Sequence, residues 1–107
     1  MAFEAQQIAL SIIHDLRTVV PRVRRSDKHL ADQIKRAATS TALLIAEGSK
    51  TSDGNGIAKL RLARGSAHET RTALEVATAW GLLESEAHKP IDRKLDSLGA
   101  ILYTLTR

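Results

Sequence analysis

The sequence contains no cysteine, so disulfides, thiolate zinc sites and cysteine nucleophiles are excluded together, and nothing ties the chain to an oxidising compartment. Aromatic residues are nearly as scarce, with Phe3, Trp80 and Tyr103 the only three. An apolar set dominated by Ala, Leu and Ile favours helices packed closely on one another over a β-sandwich. No apolar run approaches the ~20 residues that a membrane span requires. The opening Met-Ala-Phe-Glu-Ala-Gln-Gln has neither the basic start nor the apolar stretch of an export signal. The expectation is a soluble, cytoplasmic protein that engages no membrane.

What is present fits one compact domain over residues 1–107, with 43% hydrophobic and 26% charged residues. A chain of this size can build a single core but no deep private cavity, so a multi-domain enzyme is excluded. Any buried cofactor would sit between helices or between subunits, and no cofactor is expected.

From Phe3 to Val20 the apolar positions Ile8, Ile12, Ile13, Leu16, Val19 and Val20 recur in steps of three and four, which lines one side of a helix. Pro21 is expected to end it, because proline lacks an amide hydrogen and restricts the residue before it. Ser26 or Asp27 can cap a second helix carrying Leu30, Ile34, Ala37, Ala38, Thr41, Leu44 and Ile45. Gly48 is its natural stop, through the left-handed conformation that closes many helices. After the polar loop Ser49 to Gly56, a third helix places Ile57, Leu60, Ala63, Ala67, Thr70, Leu74 and Ala77 on one face, with Trp80 and Gly81 at its end. Gly65 inside that helix costs up to about 1 kcal/mol relative to alanine, most simply offset by tight helix contact. A fourth helix, starting at Ser85 or Pro90, carries Ile91, Leu95, Leu98, Ile101, Leu102 and Leu105. Four such helices with short connections predict an all-α, antiparallel up-down-up-down four-helix bundle.

The sequence gives chemistry little to work with. The four histidines, His14, His29, His68 and His88, form neither HExxH nor paired ExxH, and the neighbours His14/Asp15 and His68/Glu69 point in different directions from a helix. No GxSxG occurs, and Ser66 with His68 lies at the wrong helical angle for a nucleophile and its base. Asp53-Gly54-Asn55-Gly56 lacks the Gly-Lys-Ser/Thr ending of a phosphate loop and reads as a turn with a helix cap. No metal site and no enzymatic activity are expected.

Positive charge is the more informative feature. The formal net charge is +4, and residues 21–36 alone hold six basic and two acidic residues. Arg22, Arg24, Arg25 and Lys28 cluster around the first turn, Lys35 and Arg36 follow on the second helix, and Lys59, Arg61 and Arg64 project from the third. These nine are the candidates for phosphate contacts that do not read bases. The alternative is a solvated face with local ion pairs such as Arg71 with Glu75. Scarce exposed aromatics argue against recognising single strands by stacking. Charges beside the apolar seam, Arg36 and Glu47 on the second helix and Glu69 on the third, are candidates for interhelical pairs such as Arg36 with Glu69. Leu43, Leu62 and Leu83 are left over from the core pattern.

Three blocks, Gln33-Ile34-Lys35-Arg36-Ala37-Ala38-Thr39-Ser40, Ile45-Ala46-Glu47-Gly48 and Ala63-Arg64-Gly65-Ser66-Ala67-His68-Glu69, resemble the signature of a bacterial four-helix bundle family. It includes the proteins encoded by intervening sequences of 23S ribosomal RNA genes, and the accessory variability determinant of diversity-generating retroelements is similar to it. Leu44 stands where the family usually has asparagine, and the aromatic common in the family's first helix is replaced by smaller residues such as Ala5 or Ile8. The resemblance implies an up-down-up-down bundle that assembles as a ring, commonly a homopentamer, with a basic surface and no catalytic residues. Its retroelement branch implies binding of nucleic acid and of a reverse transcriptase. The functional expectation is a non-enzymatic, ring-forming bundle that binds RNA or DNA non-specifically; the alternative is a scaffold docking a specific protein partner.

Overall fold

In a computed structural model describing residues 2–51 and 53–107, the chain forms four helices: α1 (Ala2–Arg24), α2 (Lys28–Gly48), α3 (Gly54–Ala79) and α4 (Ser85–Thr106). No strand occurs among the described residues. Successive helices pack on one another and α1 closes onto α4, with the α2–α3 contact the most extensive and α1–α4 the thinnest, in a body of 43 × 22 × 19 Å. Cross-helix pairs fix the antiparallel register. Ser40 meets Ser66 at 3.1 Å and Glu47 meets Lys59 at 3.3 Å, so residue numbers rise on α2 as they fall on α3. Arg71 meets Asp92 and Arg61 reaches the Thr106 carbonyl, which gives α3 and α4 the same relation.

The core follows the periodic apolar positions. Ile34, Ile45, Leu74, Leu98, Leu102 and Val23 are fully buried, and Ala63, Ala67 and Ala77 let α3 sit close to its neighbours. Buried Thr41, Thr70 and Thr106 each donate their hydroxyl to the carbonyl four residues earlier, at 2.8, 2.9 and 2.7 Å, so they enter the core without an unpaired polar group. Leu83 is buried rather than left over: just beyond α3 it folds back under the bundle end.

Local chemistry sets the helix ends, with two departures from expectation. Asp27 caps α2, accepting from the Leu30 amide at 2.9 Å, and Asp53 caps α3, accepting from Gly56 at 3.1 Å while Thr51 donates to the same carboxylate. Gly81, at φ +78°, closes α3 as a Schellman turn: its amide donates to Thr78 and that of Leu82 donates to Ala77. Pro21, however, does not end α1, which continues to Arg24. The proline ring lies on the exposed side, and the turn beyond it carries fully buried Val23 and Arg24, which pairs with Asp32, so burial and pairing hold the helix past the missing amide.

Gly48 does end α2, but not through a left-handed backbone, since Gly81 is the only glycine with positive φ among the described residues. A Cβ on Gly48 would lie 2.8 Å from the Gly56 carbonyl oxygen and 2.8 Å from Leu60 Cγ, and one on Gly56 would lie 2.5 Å from the Thr51 carbonyl oxygen. Both glycines are there for a close crossing of α2 and α3. Gly65 is the reverse case. No helix contact compensates it, because a Cβ there would meet nothing within 4 Å. Pro90 sits within α4, which begins at Ser85, and no described helix is long and apolar enough to cross a membrane.

Candidate nucleic-acid interface

The nine candidate cations divide into two groups. Four are engaged within the chain. Arg24 donates to Asp32 at 2.7 Å, and Lys59 pairs with Glu47 at 3.3 Å. Arg61 donates to the Thr106 carbonyl at 3.0 Å, where a cation complements the negative end of α4, and Arg64 lies over the Tyr103 ring at 4.8 Å from its centre. The other five, Arg22, Arg25, Lys28, Lys35 and Arg36, are exposed and have no ion-pair or side-chain hydrogen-bond partner among the described residues.

The fold gathers those five along one edge. Arg22 and Arg25 emerge where α1 ends, Lys28 opens α2, and Lys35 lies seven residues on, about 10.5 Å along the same side of the helix. The acids of this segment are committed elsewhere: Asp27 caps α2, and Asp32 is held by Arg24, whose hydrogen bond keeps its carboxyl below the usual carboxylate range. The Asp27 carboxylate is spent on the N-terminal end of α2, so Lys28, exposed beside it, has no ion-pair partner among the described residues. An uncompensated positive edge of this kind contacts phosphates as point charges.

Expected ion pairs fall differently. Arg71 pairs not with Glu75 but with α4, donating to both oxygens of Asp92 at 2.7 and 3.1 Å and to Asp96 at 3.2 Å. These hydrogen bonds hold the Asp92 carboxyl below its ordinary range and raise Arg71. Arg36 and Glu69 line the same groove between α2 and α3 but form no ion pair, and Glu47 turns to Lys59 instead. On the remaining face Lys94 of α4 donates to Asp15 and Ser11 of α1, both at 2.6 Å. Among the described residues no three His, Asp or Glu side chains gather as a metal site.

Sequence reasoning undercounted exposed rings, since all three aromatics lie substantially in solvent: Phe3 and Trp80 at 75% and Tyr103 at 50%. Leu43 and Leu62 are exposed as expected, joined by Leu10. The periodicity carried the signal for Leu10, which falls off the core stripe of α1.

No curated protein matches the chain in sequence. Among solved structures it is similar to a protein of unknown function from the S23 ribosomal protein family of Bacteroides thetaiotaomicron, with a TM-score of 0.86 at 20% identity over 96% of this chain and 98% of that one. That likeness shows the shared bundle. The family model of the 23S rRNA-intervening sequence protein matches residues 2–104, spanning all three signature blocks and most of the bundle around them, and the chain belongs to that family.

Proposed function

We propose that the protein is a non-enzymatic bundle that binds RNA or DNA through the phosphate backbone, using the edge formed by Arg22, Arg25, Lys28, Lys35 and Arg36. The observation that carries this reading is that these five cations have no ion-pair partner among the described residues while the acids beside them are engaged by a helix cap and by Arg24. Of the nine sequence candidates, Arg24, Lys59, Arg61 and Arg64 have intramolecular roles and contribute less.

Assembly into a ring of copies belongs to the same reading. Exposed Leu10, Leu43 and Leu62 supply apolar surface for subunit contact. Five copies at +4 each would bring about +20 to one particle, converting weak single-chain attraction into avid binding. The test is a titration with structured RNA and duplex DNA at two salt concentrations, alongside the solution mass. Binding that weakens steeply with salt is expected. Affinity indifferent to salt, or absent at tens of micromolar in low salt, overturns the reading.

A further inference from the structure

Trp80 is the only tryptophan, is exposed, and makes no cation–π contact among the described residues, unlike Tyr103, over whose ring Arg64 lies. An indole standing in water at a helix end adds nothing to the core. Its position gives it a use. The antiparallel register of α2 and α3 brings the last turn of α3 beside the first turn of α2, so Trp80 stands at the end of the bundle where Arg25 and Lys28 emerge. It lies seven residues beyond Ala73 and four beyond Val76, both of which line the α2–α3 groove, and so it continues that side of α3 as the groove's rim.

The groove is open and about 750 Å³ in volume. Its α2 edge carries Gln33, Arg36 and Ser40, and its α3 edge carries Ser66 and Glu69. The hydrogen-bonded pair Ser40 and Ser66 closes the end of the groove away from Trp80, and each hydroxyl keeps further acceptor capacity for a base edge. Arg36 is the one cation on the α2 edge, and the one carboxylate, Glu69, stands with His68 on the other. A phosphate backbone is therefore drawn toward α2 and repelled from α3, which leaves bases turned across the groove.

We infer that this groove takes unpaired nucleotides, with one base stacked on Trp80 and the backbone passing Arg36. The inference rests on the phosphate-binding reading and refines it, because a duplex keeps its base faces stacked internally and cannot offer one to an indole.

The single tryptophan is its own probe. In low salt, oligo-dT and oligo-U of one length should each quench Trp80 fluorescence and bind more tightly than a duplex of that length; a difference between them shows whether the natural ligand is DNA or RNA. Trp80→Ala should weaken single-strand binding between about fivefold and about a hundredfold, the range base–aromatic stacking supplies, and leave duplex binding unchanged. Trp80→Phe should recover most of the loss. Glu69→Gln should strengthen single-strand binding, and unchanged circular dichroism shows that each variant is folded. Single strands that bind no better than duplex, with Trp80→Ala equal to the parent chain, overturn the inference and leave the phosphate-binding reading standing. No binding of either form overturns both.

Discussion

Two sides of one bundle use the same residue types in opposite ways. Between α3 and α4, and between α4 and α1, the cations at the helix contacts are consumed internally, Arg71 clamping Asp92 and Asp96, Lys94 joining Asp15 and Ser11, and Arg61 capping the end of α4, while Lys89 and Arg93 on the outer side of α4 stay in solvent. Along the turn from α1 to α2 and the outer side of α2, Arg22, Arg25, Lys28, Lys35 and Arg36 remain unsatisfied among the described residues. Net charge marks the second region, since residues 21–36 hold six basic and two acidic residues, and the positions of acids on neighbouring helices decide which of its cations stay free. A cation facing an acid across a helix contact serves the fold, and one facing water is available to a partner.

The comparison breaks most readily by charge reversal. Arg25→Glu, Lys28→Glu and Lys35→Glu together should reduce nucleic-acid affinity by about a hundredfold or more at low salt, with a shallower salt dependence. Neutralising Arg64 and Lys94 should change it by less than about threefold, since those cations are already engaged. Equal losses in the two sets would erase the distinction.

Stability should show the mirror image. Arg71→Ala leaves the Asp92 carboxylate, 30% exposed, without its guanidinium, and should cost about 1–2 kcal/mol after allowance for solvent screening, lowering Tm by about 4–10 °C. Lys35→Ala should move stability by less than about 0.5 kcal/mol. Thermal denaturation of both variants checks the pair.

Acid titration sharpens the same point. The folded Asp92 carboxyl lies below its ordinary value, so its contribution is present above the unfolded pKa of about 3.9 and is lost as pH falls through the folded value. Denaturant midpoints should decline below about pH 4 in the parent chain and decline less in Arg71→Ala. The smallest effect is expected at Gly65, where a Cβ meets only open space: Gly65→Ala should raise stability by up to about 1 kcal/mol, measured as a higher Tm.

Most of the bundle was legible in the sequence because local rules govern it. Three-and-four spacing marked the buried faces, Asp27 was visible as a cap, and Gly81 as a terminator. Pro21 misled because its penalty is local while the burial of Val23, which holds the helix past it, is tertiary. Gly48 marked the right place for a different reason, since the backbone it must admit belongs to another helix. The site was less legible. A run of basic residues announces positive potential, but whether Arg24 or Arg25 is free depends on Asp32, a full helical turn into α2. Arg71 showed an acid four residues away on its own helix, whereas its partners come from α4, more than twenty residues later. Trp80 offered no local sign that it would stay in water, because its surroundings are set by where α2 begins.

The crossing of Gly48 and Gly56 acts as a pivot. At the lower end of α2 and α3 the Gly48 backbone meets the Gly56 carbonyl and the Leu60 side chain directly, so the separation of the helices at the upper end depends on the angle at which they leave that point. The mouth of the channel beside Trp80 is thus dimensioned from the opposite end of the molecule. Even a methyl group added at the pivot would act through two rigid levers, and its effect would appear as a changed aperture far from the atom that caused it.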